Sequence, residues 1–278
     1  MTNKIKPPNP GLWPDVDFET YRAWDAMNAS TLDALANTTP KHFRWLLDHP
    51  EPQTPAMRFG ILLHALTLEP FDFAARYAVA PDVDKRTKAG KEAWGAFAVG
   101  AEGKVPVSAA DYERARAMSH AIQNDDTAGR LLQGGRNELS LVAVEPQTGI
   151  LCKGRMDHLK GQTIADIKTT ISAKGNVFEK AIYNYGYHRR AAFYHDLMEV
   201  LTGEHCEFFF IAVEKEPPHD VVVYPAGESI FTQGRKSYLE ALRTYRQCLT
   251  TGVWPGYPDR VAELPEWAID NYEVEIGT

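Results

Sequence analysis

The spacing of apolar residues gives the chain two textures. Up to about residue 135 the recurrence is helical. In "NASTLDALANTTPKHFRWLLDHP", Leu32 and Leu35 recur at helical spacing, and Asn28 or Ser30 can cap the first helix. Thr39 followed by Pro40 restarts a second helix, which Pro50 ends. "MRFGILLHALTLEP" is apolar nearly all round, which predicts a buried helix stopped by Pro70 with His64 inside it. The stretch from Ala80 to Gly103 predicts a basic loop and then an aromatic-bearing helix, and Ser108–Leu132 is helical again. The first 26 or so residues, rich in proline and short of periodic apolar positions, predict an arm that drapes or is partly disordered.

From Asn137 the period shortens. "ELSLVAVE", "GILCKGRMDHL", "QTIADIKTT", "CEFFFIAVE" and "HDVVVYP" are short β-branched and apolar segments set apart by "PQTG", "KG" and "KEPP" turns. Helices are predicted around Lys174–Tyr183 and Tyr187–Leu201, between the third and fourth strands, and from about Glu228 to Leu249. This order predicts an α/β (α+β) core with a mixed sheet behind a helical region. The organisation expected is an arm at 1–27 and a single domain at 28–278. Within that domain, 28–135 is mainly helical, 136–255 holds the sheet core and 256–278 is a tail. No internal repeat is visible.

At 278 residues, with 44% apolar and 24% charged, the chain has the composition of a globular protein with a substantial core. No apolar run approaches the roughly 18–20 residues needed to cross a bilayer, and the start lacks the apolar stretch of a secretory signal, so a cytoplasmic home and no membrane partner are expected. Cys152, Cys206 and Cys248 are too few and too scattered for a disulfide framework, a zinc site or an iron–sulfur cluster, and are expected to be reduced structural thiols. A net charge of -7 does not favour a nucleic-acid partner, nor does it exclude one, because a basic groove can sit on an acidic body.

Charge becomes informative in "GRMDHLKGQTIADIKTT", residues 154–170, where Asp157, Asp166 and Lys168 stand among Met156, Leu159, Ile164 and Ile167. Residues two apart on a strand share a face, so Asp166 and Lys168 point together while Ile167 points into the core. Asp157, across the Lys160–Gly161 turn, comes within cross-strand reach of them. A solvated Asp-x-Lys ion pair would be worth only about 0–1 kcal/mol. Two crowded carboxylates repel, and a divalent cation removes the conflict: Mg²⁺ binds through one or two carboxylates and leaves positions for water and phosphate oxygens. Lys168 could then hold the attacking water or the scissile phosphate. Such a set suits metal-assisted phosphodiester hydrolysis.

Asp157, an interval of eight residues, and then Asp166-Ile167-Lys168-Thr169-Thr170 resemble the PD-(D/E)XK nuclease signature in its G-x-x-D…D-x-K-T-T form, with Asp where Glu is also found. "GILLHALTLEP", "PDVDKRTKAGKEAW", Glu138 and "YNYGYHRRAAFYHDL" extend the resemblance to the RecE-type exodeoxyribonuclease VIII family over roughly Ser30 to Trp254. The resemblance implies a restriction-endonuclease-like core with helices around a mixed sheet. It also implies Mg²⁺-dependent digestion of linear double-stranded DNA from its ends, 5′ to 3′, with Mn²⁺ as a substitute ion. The 3′ single-stranded tails would pass to a RecT-type single-strand annealing protein. A homo-oligomeric ring and a phage or prophage setting in a bacterial cytoplasm are further implications.

Carried over by residue, the resemblance assigns Asp157, Asp166 and Lys168 to catalysis, and His64, Asp157, Asp166 and the Ile167 carbonyl to the metal. His64 by itself is as well read as a packed core histidine. Glu138 would anchor Lys168 or bind a second metal, or be solvated. Arg190 stands where the family pattern has Gln, and could grip a phosphate or sit against the metal carboxylates. Tyr194 would face the DNA backbone, whereas Phe193 reads as core. Lys85, Arg86, Lys88 and Lys91, with Arg189, Arg190, Lys41 and Arg44, would contact phosphates if they ring one cleft; singly, each reads as surface charge. The alternatives are a catalytically idle DNA-binding or assembly subunit of the same fold, and a RecB-type repair nuclease without an iron–sulfur cluster.

Overall fold

The computed structural model describes residues 4–265. The chain begins with β1 (Gly11–Trp13) and α1 (Phe18–Ala23), followed by α2 (Ala29–Asn37), α3 (Pro40–Asp48), α4 (Pro55–Leu68) and α5 (Phe73–Arg76). β2 (Tyr77–Ala80), α6 (Lys88–Gly100), β3 (Val105–Ser108), α7 (Ala109–Asn124) and α8 (Asp126–Leu132) come next. The second half holds β4 (Arg136–Val144), β5 (Leu151–Lys160), β6 (Thr163–Thr170), α9 (Gly175–Asn184), α10 (Tyr187–Thr202), β7 (Glu207–Glu214), β8 (Val221–Pro225) and α11 (Glu228–Thr251).

Side-chain caps fix the helix starts. Asn28, Thr39 and Thr54 each accept a backbone N–H three residues on, and Pro40 and Pro55 take the first helical position, where no donor is needed. α4 therefore starts at Pro55, upstream of its apolar stretch.

The strands form one six-stranded mixed sheet in the order β1-β4-β5-β6-β7-β8. β6 and β7 are parallel, joined by the crossover through α9 and α10, and the other pairs are antiparallel. Helices cover both faces. Ile164, Phe208 and Phe210 pack with Phe193 and the α9–α11 side, whereas Ala165, Ile167, Ile211 and Val213 pack with Leu62, Leu63, Met118 and Ile122 of α4 and α7. Alternate residues of β6 thus enter different cores, which the period-2 geometry of a strand dictates. The fold is the mixed α/β arrangement expected from the strand and helix order.

The segment read as a proline-rich arm is built into the domain. β1 pairs with β4 through Gly11↔Val142 to Trp13↔Ser140, making the sheet's first strand. Tyr21 and Trp24 pack on Val142, and the Lys153 ammonium donates to the carbonyls of Tyr21, Arg22 and Trp24 at 2.8, 3.0 and 2.7 Å. The helical half also carries a parallel pair, β2 with β3, that the apolar pattern does not announce. Among the described residues no helix is long and apolar enough to cross a membrane. Cys152, Cys206 and Cys248 are buried and unpaired with one another. The predicted tail is described only to residue 265, without helix or strand, and the rest lies outside the described residues.

Candidate functional site

The β5–β6 ladder is short. It runs through Lys160↔Thr163, Leu159↔Ile164 and His158↔Ala165 and then stops, so the strands part just before Asp157 and Asp166. The Asp157 side chain fills the opening: its Oδ2 accepts the Ile167 N–H at 2.8 Å, standing in for a missing backbone partner. On the other side of β5, the pairs Asn137↔His158 and Leu139↔Met156 set Glu138 level with Asp157. Glu138 has φ 49°, an uncommon left-handed backbone for a residue with a side chain, of the kind that concentrates at functional sites. Its carboxylate lies 2.6 Å from Arg155 Nε and 3.7 Å from His64 Nδ1.

α4 supplies His64 from the opposite side. Its Nε2 lies 3.2 Å from the Ile167 carbonyl oxygen and 3.5 Å from Asp157 Oδ2. Lys168 and Asp166, two apart on β6, are in direct contact, and Lys168 Nζ also donates to the Ile167 carbonyl at 3.3 Å. The same ammonium lies 5.1 Å from the Tyr187 ring centroid. Asp166 is 1% exposed; Lys168 is its charged partner at Oδ2, and its Oδ1 has no hydrogen-bond donor among the described residues. A buried carboxylate oxygen without a donor is costly, and its lone pairs are open to a ligand.

The electrostatics follow from this crowding. Burial pushes the Asp157 carboxyl up to about 6, against the pull of His64 and Lys168. Burial disfavours the imidazolium of His64, but Asp157 and Glu138 outweigh it and raise the group to about 9. Burial raises Glu138 too, but His64 and Arg155 more than reverse this, leaving it below the usual carboxylate range.

The structure brings together Asp157, Asp166, Lys168, His64 and the Ile167 carbonyl. His64, Glu138 and Asp157 each offer a ligand atom within 4.8 Å of the others, while Asp166 is outside that trio and meets Lys168. Glu138 is held by Arg155 rather than anchoring Lys168, and it lies inside β4 rather than opening the strand. Two expectations need correction. Tyr194 does not face DNA: it is 6% exposed and its hydroxyl donates to the Arg155 carbonyl at 3.0 Å, because its ring lies over Gly154. A Cβ at Gly154 would come within 2.8 Å of that ring, which explains the glycine. Arg189 is not a phosphate contact either; it is buried and paired with Asp33 at 2.6 Å, tying α10 to α2.

Phe193 is core, as read. Lys85, Arg86, Lys88 and Lys91 are exposed around the start of α6, Lys85 lying over the Trp94 ring, while Lys41 and Arg44 are exposed on α3. Sequence reasoning passed over Arg155 and Tyr187. The signal for Arg155 was available: it lies two residues before Asp157 in an apolar strand, where a charge needs a partner.

The donor set is an imidazole, two or three carboxylates and a carbonyl, hard ligands suited to Mg²⁺ or Mn²⁺. The open Oδ1 of Asp166 and the convergence of His64, Asp157 and Ile167 O fit such an ion.

Three comparisons bear on this arrangement. The fold superposes on a crystal structure of a "putative exonuclease" from Eubacterium rectale with TM-score 0.60 and 15% identity, over 91% of this chain and 94% of that one. A structure of SSO0001 matches with TM-score 0.33 and 10% identity over 77% of this chain and 75% of that one, too distant to support an argument. The search of curated proteins returns no match. Residues 21–264 match the family described as PDDEXK-like domain of unknown function (DUF3799), and this chain belongs to that PDDEXK-like family.

Proposed function

We propose that the protein is a divalent-metal-dependent exodeoxyribonuclease that digests linear double-stranded DNA from its ends. The observation that carries this reading is the meeting of His64 Nε2, Asp157 Oδ2 and the Ile167 carbonyl beside the contacting Lys168–Asp166 pair. The family membership and the likeness to the E. rectale protein support it.

Bound there, Mg²⁺ or Mn²⁺ would polarise the phosphoryl group and acidify a water. His64, Asp157, Asp166 and the Ile167 carbonyl would hold the ion, and Glu138 orients His64 from its far nitrogen. Lys168 reaches the phosphate or the attacking water, kept in place by Asp166 and the Tyr187 face. Arg155 holds the Glu138 carboxylate and so fixes its direction. The exposed lysines and Arg86 near α6 attract phosphates without reading sequence. Digestion proceeds 5′ to 3′, leaving tails for a single-strand annealing protein, and a closed homo-oligomeric ring keeps the enzyme on its duplex.

Linear and closed-circular duplexes, incubated with Mg²⁺ or with EDTA, test the reading. Loss of linear DNA alone, only with metal and abolished by Asp166→Ala or Lys168→Ala, is expected. Tight DNA binding without digestion in either Mg²⁺ or Mn²⁺ would overturn it.

A further inference from the structure

Tyr187, Arg190 and Tyr194 recur at helical spacing and share one face of α10. The first places its ring at Lys168 on β6, and the last places its hydroxyl on the Arg155 backbone of β5. Arg190, between them, shares the face of α10 that is turned to these two strands. Burial disfavours its charge, but Tyr194, Asp166, Asp157 and Asp33 outweigh this and hold the guanidinium charged. Its Nε is buried and has no hydrogen-bond partner among the described residues.

With His64 neutral, as ligation requires, and Asp33 paired with Arg189, the cluster contains as many cations as carboxylates: Glu138, Asp157 and Asp166 against Arg155, Lys168 and Arg190. One divalent ion adds two charges, which a phosphate and an attacking hydroxide can neutralise. Two ions would add four in a buried site, where unpaired charge is strongly penalised.

We propose that Arg190 takes the place of a second divalent ion, so that this site works with a single metal and a fixed guanidinium. The inference rests on the metal-dependent reading of the same residues. It adds a stoichiometry and assigns the side chain that sets it. The guanidinium also offers a planar fork to the phosphate, which an ion would otherwise contact.

Titration of the metal-free protein with Mn²⁺, followed by calorimetry and by the paramagnetic resonance of free ion, measures the stoichiometry without any DNA. One ion per chain is expected for the wild type and for Arg190→Lys, none in this site for Asp157→Ala, and a second, weaker ion for Arg190→Gln. Two ions in the wild type, both lost in Asp157→Ala, would overturn the proposal whether or not the Arg190 variants fold. A single ion in well-folded Arg190→Gln would do the same. A wild type that binds one Mn²⁺ yet leaves DNA intact would sink the nuclease reading and spare this one.

Discussion

Among the described residues there are two partly buried acid–histidine clusters, and they differ in how their carboxylates are satisfied. At the C-terminal half of α10, Asp196 accepts from Arg235 Nε at 2.7 Å and Nη2 at 2.5 Å, from the Tyr238 hydroxyl at 2.6 Å, and meets His195 Nδ1 at 2.9 Å. Burial works against its charge, but His195, Arg235 and Tyr238 overcome this and hold the carboxyl down at about 2. At the β5–β6 opening, Asp166 is more deeply buried, meets Lys168 at Oδ2 and leaves Oδ1 without a donor among the described residues. The ligand atoms of His195, Asp196 and Glu199 lie within 4.8 Å of one another, as those of His64, Glu138 and Asp157 do. Saturation separates them: one network is complete without a guest, and the other is not.

The largest expected effect follows directly. Asp166→Asn should lower DNA digestion by at least about 10³-fold, since it removes a carboxylate that serves the reaction. In the metal-free protein the same change should shift stability by no more than about 1 kcal/mol, because the weaker hold on Lys168 is offset by relief of repulsion with Asp157. Parallel kinetics and thermal melts check both halves. A large loss of melting temperature with activity retained would show that Asp166 is a structural pin after all.

Asp196→Ala should show the opposite pattern. It strips the Tyr238 hydroxyl and the Arg235 fork of their acceptor, and a cost of about 2–3 kcal/mol is expected, discounted because Arg235 is 40% exposed. For a chain of this size that is a drop of roughly 4–12 °C in Tm. Digestion per folded molecule should be unchanged.

Metal affinity sharpens the contrast through pH. His64 lies above its ordinary value, at about 9, so it is protonated in the metal-free protein at neutral pH and must release that proton to bind an ion. The Mn²⁺ dissociation constant should rise about tenfold for each unit that pH falls below 9, and more steeply below about 6, where Asp157 also takes up a proton. Stability of the metal-free form has the reverse sign. The raised His64 contributes fully below about 6.5, and that contribution is lost as pH rises through 9. Calorimetry in buffers of differing ionisation enthalpy counts the protons. His195→Gln should leave the curve unmoved, and a shift would mean that the saturated cluster binds the ion.

The sequence made the central hairpin legible because strands alternate: charges among isoleucines on a two-faced strand stand out, and Asp166, Ile167 and Lys168 point as that period requires. It did not reveal β1, whose three residues owe their position to backbone pairing with β4 and to Lys153, neither of which leaves a periodic trace. β2 and β3 are four residues each, within reach of any helical window. The partners of Glu138 were hidden for a similar reason. Its left-handed backbone and its bond to Arg155 depend on the register of β4 with β5, which a motif scan does not contain.

Tyr194 offers the smallest and most discriminating effect. Its hydroxyl donates to the Arg155 carbonyl at 3.0 Å in a buried setting, so Tyr194→Phe leaves one backbone acceptor unpaired and should cost about 1 kcal/mol. Because Arg155 holds Glu138, a slight loosening should also raise the Mn²⁺ dissociation constant, by less than about threefold. The salt dependence of DNA binding should not change, since no phosphate contact is lost. Lys88→Ala or Lys91→Ala, on the exposed start of α6, should lower that slope by about one for each phosphate contact removed, with no effect on metal affinity. A reduced slope in Tyr194→Phe would return that side chain to the DNA surface and argue that α10 is packed differently over β5.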